Sequence, residues 1–129
     1  MKKPREKGHK GEREFCEYLK DVLSLDFSPK RNIDQVREGG ADIIDVPPFC
    51  IEVKREQKGV LRNYWNQVWN ARTERNPVPF VAYRQNRKKW KFLISAEYIG
   101  LLRGFIRLEE EEFKQWVRRV YGYHKDSTT

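Results

Sequence analysis

Two acids and a lysine, Asp42, Glu52 and Lys54, have residue types that can do chemistry at a spacing a fold can bring together, and Glu12 adds a third acid upstream. Acid-x-Lys by itself is weak evidence, because it occurs three times, at Glu52/Lys54, Glu56/Lys58 and Glu112/Lys114. Only Glu52/Lys54 interrupts an apolar, strand-like run. Residues two apart on a strand share a face, so Glu52 and Lys54 project together while Ile51 and Val53 point into the opposite layer. A carboxylate and an ammonium on an inner strand are costly without partners. A turn at Pro47-Pro48 that folds the preceding segment back antiparallel brings Asp42 near Glu52, within reach of one hard cation, which prefers carboxylate oxygens, carbonyls and water. Glu12 lies three residues before Phe15 and seven before Leu19, on the buried stripe of a helix at its first turn.

The elements that must hold these residues are legible in the spacing. From Gly11 to Leu25 the apolar residues Phe15, Tyr18, Leu19, Val22 and Leu23 recur three and four apart, which predicts an amphipathic helix. Asp42–Val46 and Phe49–Lys54 read as adjacent strands around the prolines, which cannot continue a ladder. Leu61, Tyr64, Trp65, Val68 and Trp69 predict a helix from about Val60 to Arg75, ending before Asn76-Pro77. Val78–Arg84 and Trp90–Ser95 read as strands joined by the basic turn over 85–89. Ser95 is a candidate cap for a short helix around Glu97–Arg103, Phe105–Leu108 for an edge strand, and Glu109–Tyr121 for a last helix whose four leading glutamates suit its N-terminal dipole. The polar stretches 1–8 and 125–129 read as loose ends. Helices alternating with strands predict an α/β sandwich around a mixed sheet.

Composition sets the bounds. The 129 residues make one domain the economical reading, and 38% hydrophobic residues with 7 Phe, 6 Tyr and 4 Trp suffice for a core. Trp65, Trp69, Trp90 and Trp116 sit at packing positions. The net charge of +8 favours a polyanionic partner. Apolar runs are too short to span a membrane, and no apolar signal segment follows the basic N-terminus, so the cytoplasm is the expected location. Cys16 and Cys50 form no ligand cluster and read as small buried hydrophobes.

Asp42 followed by Glu52-Val53-Lys54 resembles the active-site signature of the PD-(D/E)xK nuclease superfamily. Gly8-His9-Lys10-Gly11-Glu12-Arg13-Glu14-Phe15 is similar to the Gly-x-x-x-Glu-Arg-Glu opening of archaeal-type Holliday junction resolvases. Pro77–Tyr83 and Trp90–Ile94 fit that family's later strands, and the approach Arg37–Asp42 with the Pro47-Pro48 turn looks more like phage-encoded relatives. The resemblance covers about residues 8–95. Asp42 lacks the preceding proline of the signature, and residues 96–124 form a C-terminal extension beyond the usual core. The resemblance implies a restriction-endonuclease-like fold in a single nuclease domain: a central mixed β-sheet flanked by helices, with a C-terminal helical extension.

It also implies a function: metal-dependent hydrolysis of phosphodiester bonds, resolving four-way DNA junctions by paired nicks. Glu12, Asp42 and Glu52, with the Val53 carbonyl, would bind Mg²⁺, for which Mn²⁺ can substitute; Lys54 would orient the attacking water or stabilise the transition state. Asp45 is an alternate ligand, and Gln67 on the following helix an accessory group. Arg13 is carried over by position as a phosphate contact; Arg31, Arg37, Arg55, Lys58 and Arg62 join it from charge near the site alone. The two-fold symmetry of a four-way junction favours a homodimer. No membrane and no small organic cofactor is expected. The competing readings are another nuclease of the same fold (flap, nicking or restriction-like) and a basic DNA-binding module without catalysis.

Overall fold

The computed structural model describes residues 4–33, 40–55, 59–85 and 88–128. Among these the chain runs α1 (Pro4–Leu23), β1 (Phe49–Lys54), α2 (Leu61–Asn70), β2 (Val78–Tyr83), β3 (Lys91–Ser95), a 3-10 turn (Ala96–Ile99), β4 (Phe105–Leu108) and α3 (Glu110–Thr128). The strands form one mixed sheet in the order β1-β2-β3-β4. β1 and β2 are parallel, with Glu52 opposite Val81, and the α2 crossover joins them. β2 to β3 and β3 to β4 are antiparallel.

Alternation along the strands divides the core into two layers. Phe49, Ile51 and Val53 of β1, with Phe80, Ala82, Phe92 and Ile94, pack against Phe15 and Leu19 of α1 and Phe113 and Val117 of α3. Phe92 and Phe113 stack with their ring centroids 3.6 Å apart. Cys50, Val81, Tyr83 and Leu93 face the other way, onto Trp65 and Val68 of α2. Glu52 and Lys54 share the parity of Cys50 and therefore belong to the α2 layer, as the two-residue period requires.

Three elements differ from the sequence expectations. Asp42–Val46 is not a strand: it meets β1 through a single antiparallel bridge between Ile43 and Ile51. The backbone groups that would extend the ladder are committed elsewhere, the Val53 N–H to Asp42 Oδ2 (2.8 Å), the Ala41 carbonyl to Asn32 Nδ2 (3.1 Å), the Phe49 N–H to the Val46 carbonyl (3.0 Å) and the Phe49 carbonyl to Asn76 Nδ2 (2.7 Å). The second helix stops at Asn70 instead of Arg75, because Arg72 Nε bonds back to the Trp69 carbonyl at 2.8 Å and Thr73 and Asn76 close a turn on each other. The short helix after Ser95 is a 3-10 turn that ends at Gly100 with φ +85, a left-handed position suited to glycine.

Caps account for much of what agrees. Ser95 Oγ accepts the Glu97 N–H at 3.2 Å. The Glu109 N–H donates to Glu112 Oε1 at 3.1 Å, a side chain reaching back over the first turn of α3. The described parts of the two stretches expected to be loose, 4–8 and 125–128, are helical. α1 begins at Pro4, a residue the first helical position tolerates, and α3 continues to Thr128, with Ser127 Oγ bonded to the Tyr123 carbonyl at 2.9 Å.

Candidate active site

The outer edge of β1 organises the site. Ile51 exchanges both backbone bonds with Ile43 at 3.1 and 3.2 Å, so its N–H and C=O face away from β2. Two residues on, Val53 presents its own N–H and C=O to the same edge. Asp42 Oδ2 accepts that N–H at 2.8 Å, which holds the carboxylate against the strand. Asn32 Nδ2 bonds the Ala41 carbonyl at 3.1 Å, and Gly40 takes φ +100, so the approach to Asp42 is fixed from the other side.

Glu52 is fully buried, and neither of its oxygens has a hydrogen-bond donor. Lys54 Nζ stands 3.9 Å from Glu52 Oε2, an ion pair too long for a hydrogen bond. Lys54 instead donates to Gln67 Oε1 at 2.9 Å, with the Tyr64 ring centroid 5.4 Å away. Glu12 is half-buried, one turn before Phe15, and enters from the α1 layer.

Electrostatics tie these acids together. Burial pushes the Glu52 carboxyl far above the usual range, and the negative charge of Asp42 adds to the effect, with Lys54 opposing. Burial, then Asp42, raises Glu12 to about 7, while Arg31 pulls it down. Glu12 has the smallest influence among the neighbours acting on Glu52, so Asp42 is the shared neighbour of the other two. Among the described residues no group of three or more His, Cys, Asp or Glu side chains is drawn together closely enough to hold a metal ion alone.

A small divalent ion that keeps several waters needs only one or two protein carboxylates. The Asp42–Glu52 pair fits that requirement: one carboxylate is fixed by a backbone N–H, the other is buried with no donor, and like charge makes both costly until a cation or proton arrives. The Val53 carbonyl lies on the same edge, and Glu12 stands next to Asp42.

The remaining candidates sort by position. Arg13 and Arg62 are exposed on α1 and α2, and Arg31 lies close enough to act on Glu12. Arg55 turns inward: its side chain is 13% exposed and its Nε lies 3.5 Å from Glu14 Oε2. Its stem passes so near Gly11 that an added Cβ would stand 3.2 Å from Arg55 Cδ, which explains a glycine beside Glu12. Arg37 and Lys58 lie outside the described residues. Asp45 Oδ2 accepts the Lys30 N–H at 2.9 Å and so ties the loop before the site. Cys16 and Cys50 are free and buried, and burial pushes both thiols up to about 12.

Sequence reasoning missed three positioning groups. Glu14 bonds Arg84 at the end of β2 while pairing with Arg55, which joins α1 to both parallel strands. Asn76 is buried and donates to the carbonyls of Ile44 (3.0 Å) and Phe49 (2.7 Å), and Asn32 holds the Asp42 segment. Their only sequence signals are an acid inside the Glu12-Arg13-Glu14 motif and two isolated amides. Among the described residues no helix is long and apolar enough to cross a membrane.

Comparison with known proteins supplies one match. A family model described as "Phage putative PDDEXK endonuclease" matches residues 3–112. No curated protein and no solved structure matches the chain.

Proposed function

We propose that this chain, which belongs to the phage PDDEXK endonuclease family, is a Mg²⁺-dependent DNA endonuclease that cuts four-way junctions. The observation that carries the catalytic part is the Glu52 carboxylate, fully buried without a donor, beside an Asp42 carboxylate pinned to the Val53 N–H and on the same strand face as Lys54. Asp42 and Glu52, with the Val53 carbonyl and Glu12, are the residues that hold the ion. A divalent cation bound there lowers the pKa of water and neutralises charge building on the scissile phosphate.

The chain's own groups do the rest. Lys54 Nζ, oriented by Gln67, donates to the attacking water or to a phosphate oxygen as its charge rises. Glu12, raised to about 7 by burial and by Asp42, would release its proton to solvent once a cation offset the Asp42 charge. Arg13, exposed one residue beyond Glu12, and Arg62 on α2 supply phosphate contacts that position DNA without reading its sequence.

The junction reading rests on the resemblance of the Gly8 to Glu14 segment of α1, with Glu12 and Arg13 adjacent, to the opening motif of archaeal-type Holliday junction resolvases. A homodimer follows from it, since paired nicks in opposed strands call for two sites related by a two-fold axis. The test is incubation with Mg²⁺ and, separately, a four-way junction, a flap, linear duplex and single strand. Symmetric nicks in the junction with linear duplex spared are expected. Equal cleavage of linear duplex contradicts junction selectivity, and preference for the flap assigns the chain to that substrate.

A further inference from the structure

A cleft of about 880 Å³ opens between α2 and the segment around residues 95–105, on the sheet face that carries Glu52 and Lys54. We infer that this cleft takes one unpaired nucleotide of the DNA strand being cut. The inference rests on the nuclease reading above and names a feature of its substrate. The cleft walls are Trp65 and Trp69 of α2 with Phe105 at the start of β4, and its polar rim carries Arg62, Asn66 and Arg103.

Three observations point to a nucleotide. Trp65 lies 5.9 Å from Phe105 and 6.0 Å from Trp69, ring centroid to centroid, with the planes tilted by 38° and 40°, so three aromatic rings line the floor, Trp65 buried beneath and the half-buried Trp69 and Phe105 open to the cleft. The Arg72 guanidinium stacks 3.4 Å from the Trp69 ring centroid, which braces one side of that indole. A planar base stacks on such a surface whatever its identity. At the rim, Arg62 and Arg103 suit a phosphodiester, against the single carboxylate of Glu97, while the Asn66 amide both donates and accepts toward a base edge. The volume lies within the range of sites that enclose a small organic group.

Position relative to the chemistry is the third. Asn66 at the cleft and Gln67 at the site are successive residues of α2, and Gln67 Oε1 is the acceptor 2.9 Å from Lys54 Nζ. One short helix therefore borders both the reacting phosphate and the cleft. The exposed positions of α2 are Arg62, Asn63, Asn66, Gln67 and Asn70, with no acid among them. Of the three asparagines on this helix, Asn66 is the one that lines the cleft. A base lifted from the stack costs least where it is already unpaired or has lost a stacked neighbour, as at a branch point.

The experiment measures binding of the full chain, with metal chelated, to fluorescent duplexes that differ only in a short single-stranded arm, beside the same arm carrying an abasic first nucleotide. An arm is expected to tighten binding about tenfold, and the abasic arm to return it to the blunt-duplex value. Trp69→Ala and Arg103→Ala are expected to remove the arm's advantage while leaving blunt-duplex affinity within about twofold, as loss of stacking without loss of the fold implies. Arg103 is exposed, so its variant keeps the test informative if Trp69→Ala fails to fold. Duplex binding with no gain from the arm, or a gain that survives both the abasic nucleotide and Arg103→Ala, overturns the inference and leaves the nuclease reading standing. Loss of a dimer in Trp69→Ala, with arm preference unchanged, assigns the cleft to a second copy and also overturns it. Failure to bind any of the DNAs removes the inference and the nuclease reading together.

Discussion

Asp42 Oδ2 accepts the Val53 backbone N–H at 2.8 Å, so the acid before the turn is bonded to the backbone between Glu52 and Lys54. The bond sets the Asp42 carboxylate at the strand edge beside Glu52 and Lys54.

That bond separates two substitutions at the same position. Asp42→Asn retains an oxygen that can accept from Val53, so the fold is kept while cation binding and DNA cleavage fall by at least about 100-fold. Asp42→Ala leaves the Val53 N–H without this acceptor and is additionally destabilised by about 1–3 kcal/mol. Denaturant unfolding and a cleavage assay on both variants check the distinction.

Glu52→Gln has an unusual expected sign. The amide keeps the side chain's size, removes a buried charge and offers a donor to Asp42, so the metal-free protein at pH 8.5 gains about 1–2 kcal/mol. Cleavage is abolished. A loss of metal-free stability at that pH counts against an uncompensated Glu52 charge.

The pH dependence follows from the same two acids. Both Glu52 and Glu12 have folded pKa values above the ordinary 4.5, with Glu12 at about 7, so the folded state binds more protons than the unfolded state in between. Their contribution is fully present below about pH 4.5 and is lost as pH rises through the folded values. Metal-free melting temperature should therefore fall between pH 5.5 and 8.5 more steeply in the wild type than in Glu52→Gln. Mg²⁺ should raise it more at pH 8.5 than at 5.5; at a hundred times the dissociation constant the stabilisation is about 2.7 kcal/mol.

Glu14 tests how α1 is held. Glu14→Ala leaves Arg55 and Arg84 without the carboxylate they share. The pairs are partly exposed, so a cost of about 1–3 kcal/mol is expected, below that of a fully buried pair. The cleavage rate should drop as well, because Glu12 is carried on the same turn; hydrogen exchange over α1 and single-turnover cleavage report the two effects.

Much of this was readable from periodicity. The α1 stripe from Phe15 to Val22, the face shared by Glu52 and Lys54, and the Ser95 cap all follow from local rules that tertiary packing leaves intact. Asp42–Val46 looked like a strand because β-branched residues favour one. Yet the side chains of Asn32 and Asn76, distant in sequence, claim the carbonyls of Ala41 and Phe49, and no local pattern reports a long-range side-chain bond. Arg55 reads as a DNA contact from charge alone, whereas its inward turn toward Glu14 lays its stem against Gly11, a long-range packing that no local pattern reports. The α2 cleft drew no signal because its walls read as ordinary core aromatics and its rim as scattered Asn and Arg.

The most direct measurement is cleavage of a covalently closed circular DNA carrying an extruded cruciform, with and without Mg²⁺, by the wild type and Glu52→Gln. The circle has no ends, so any cut is endonucleolytic. The expected result is linearisation by the wild type only with the ion present, and none by Glu52→Gln although it still binds the DNA. An intact circle under all conditions, or equal cutting by Glu52→Gln, would contradict a metal-dependent nuclease centred on Asp42 and Glu52.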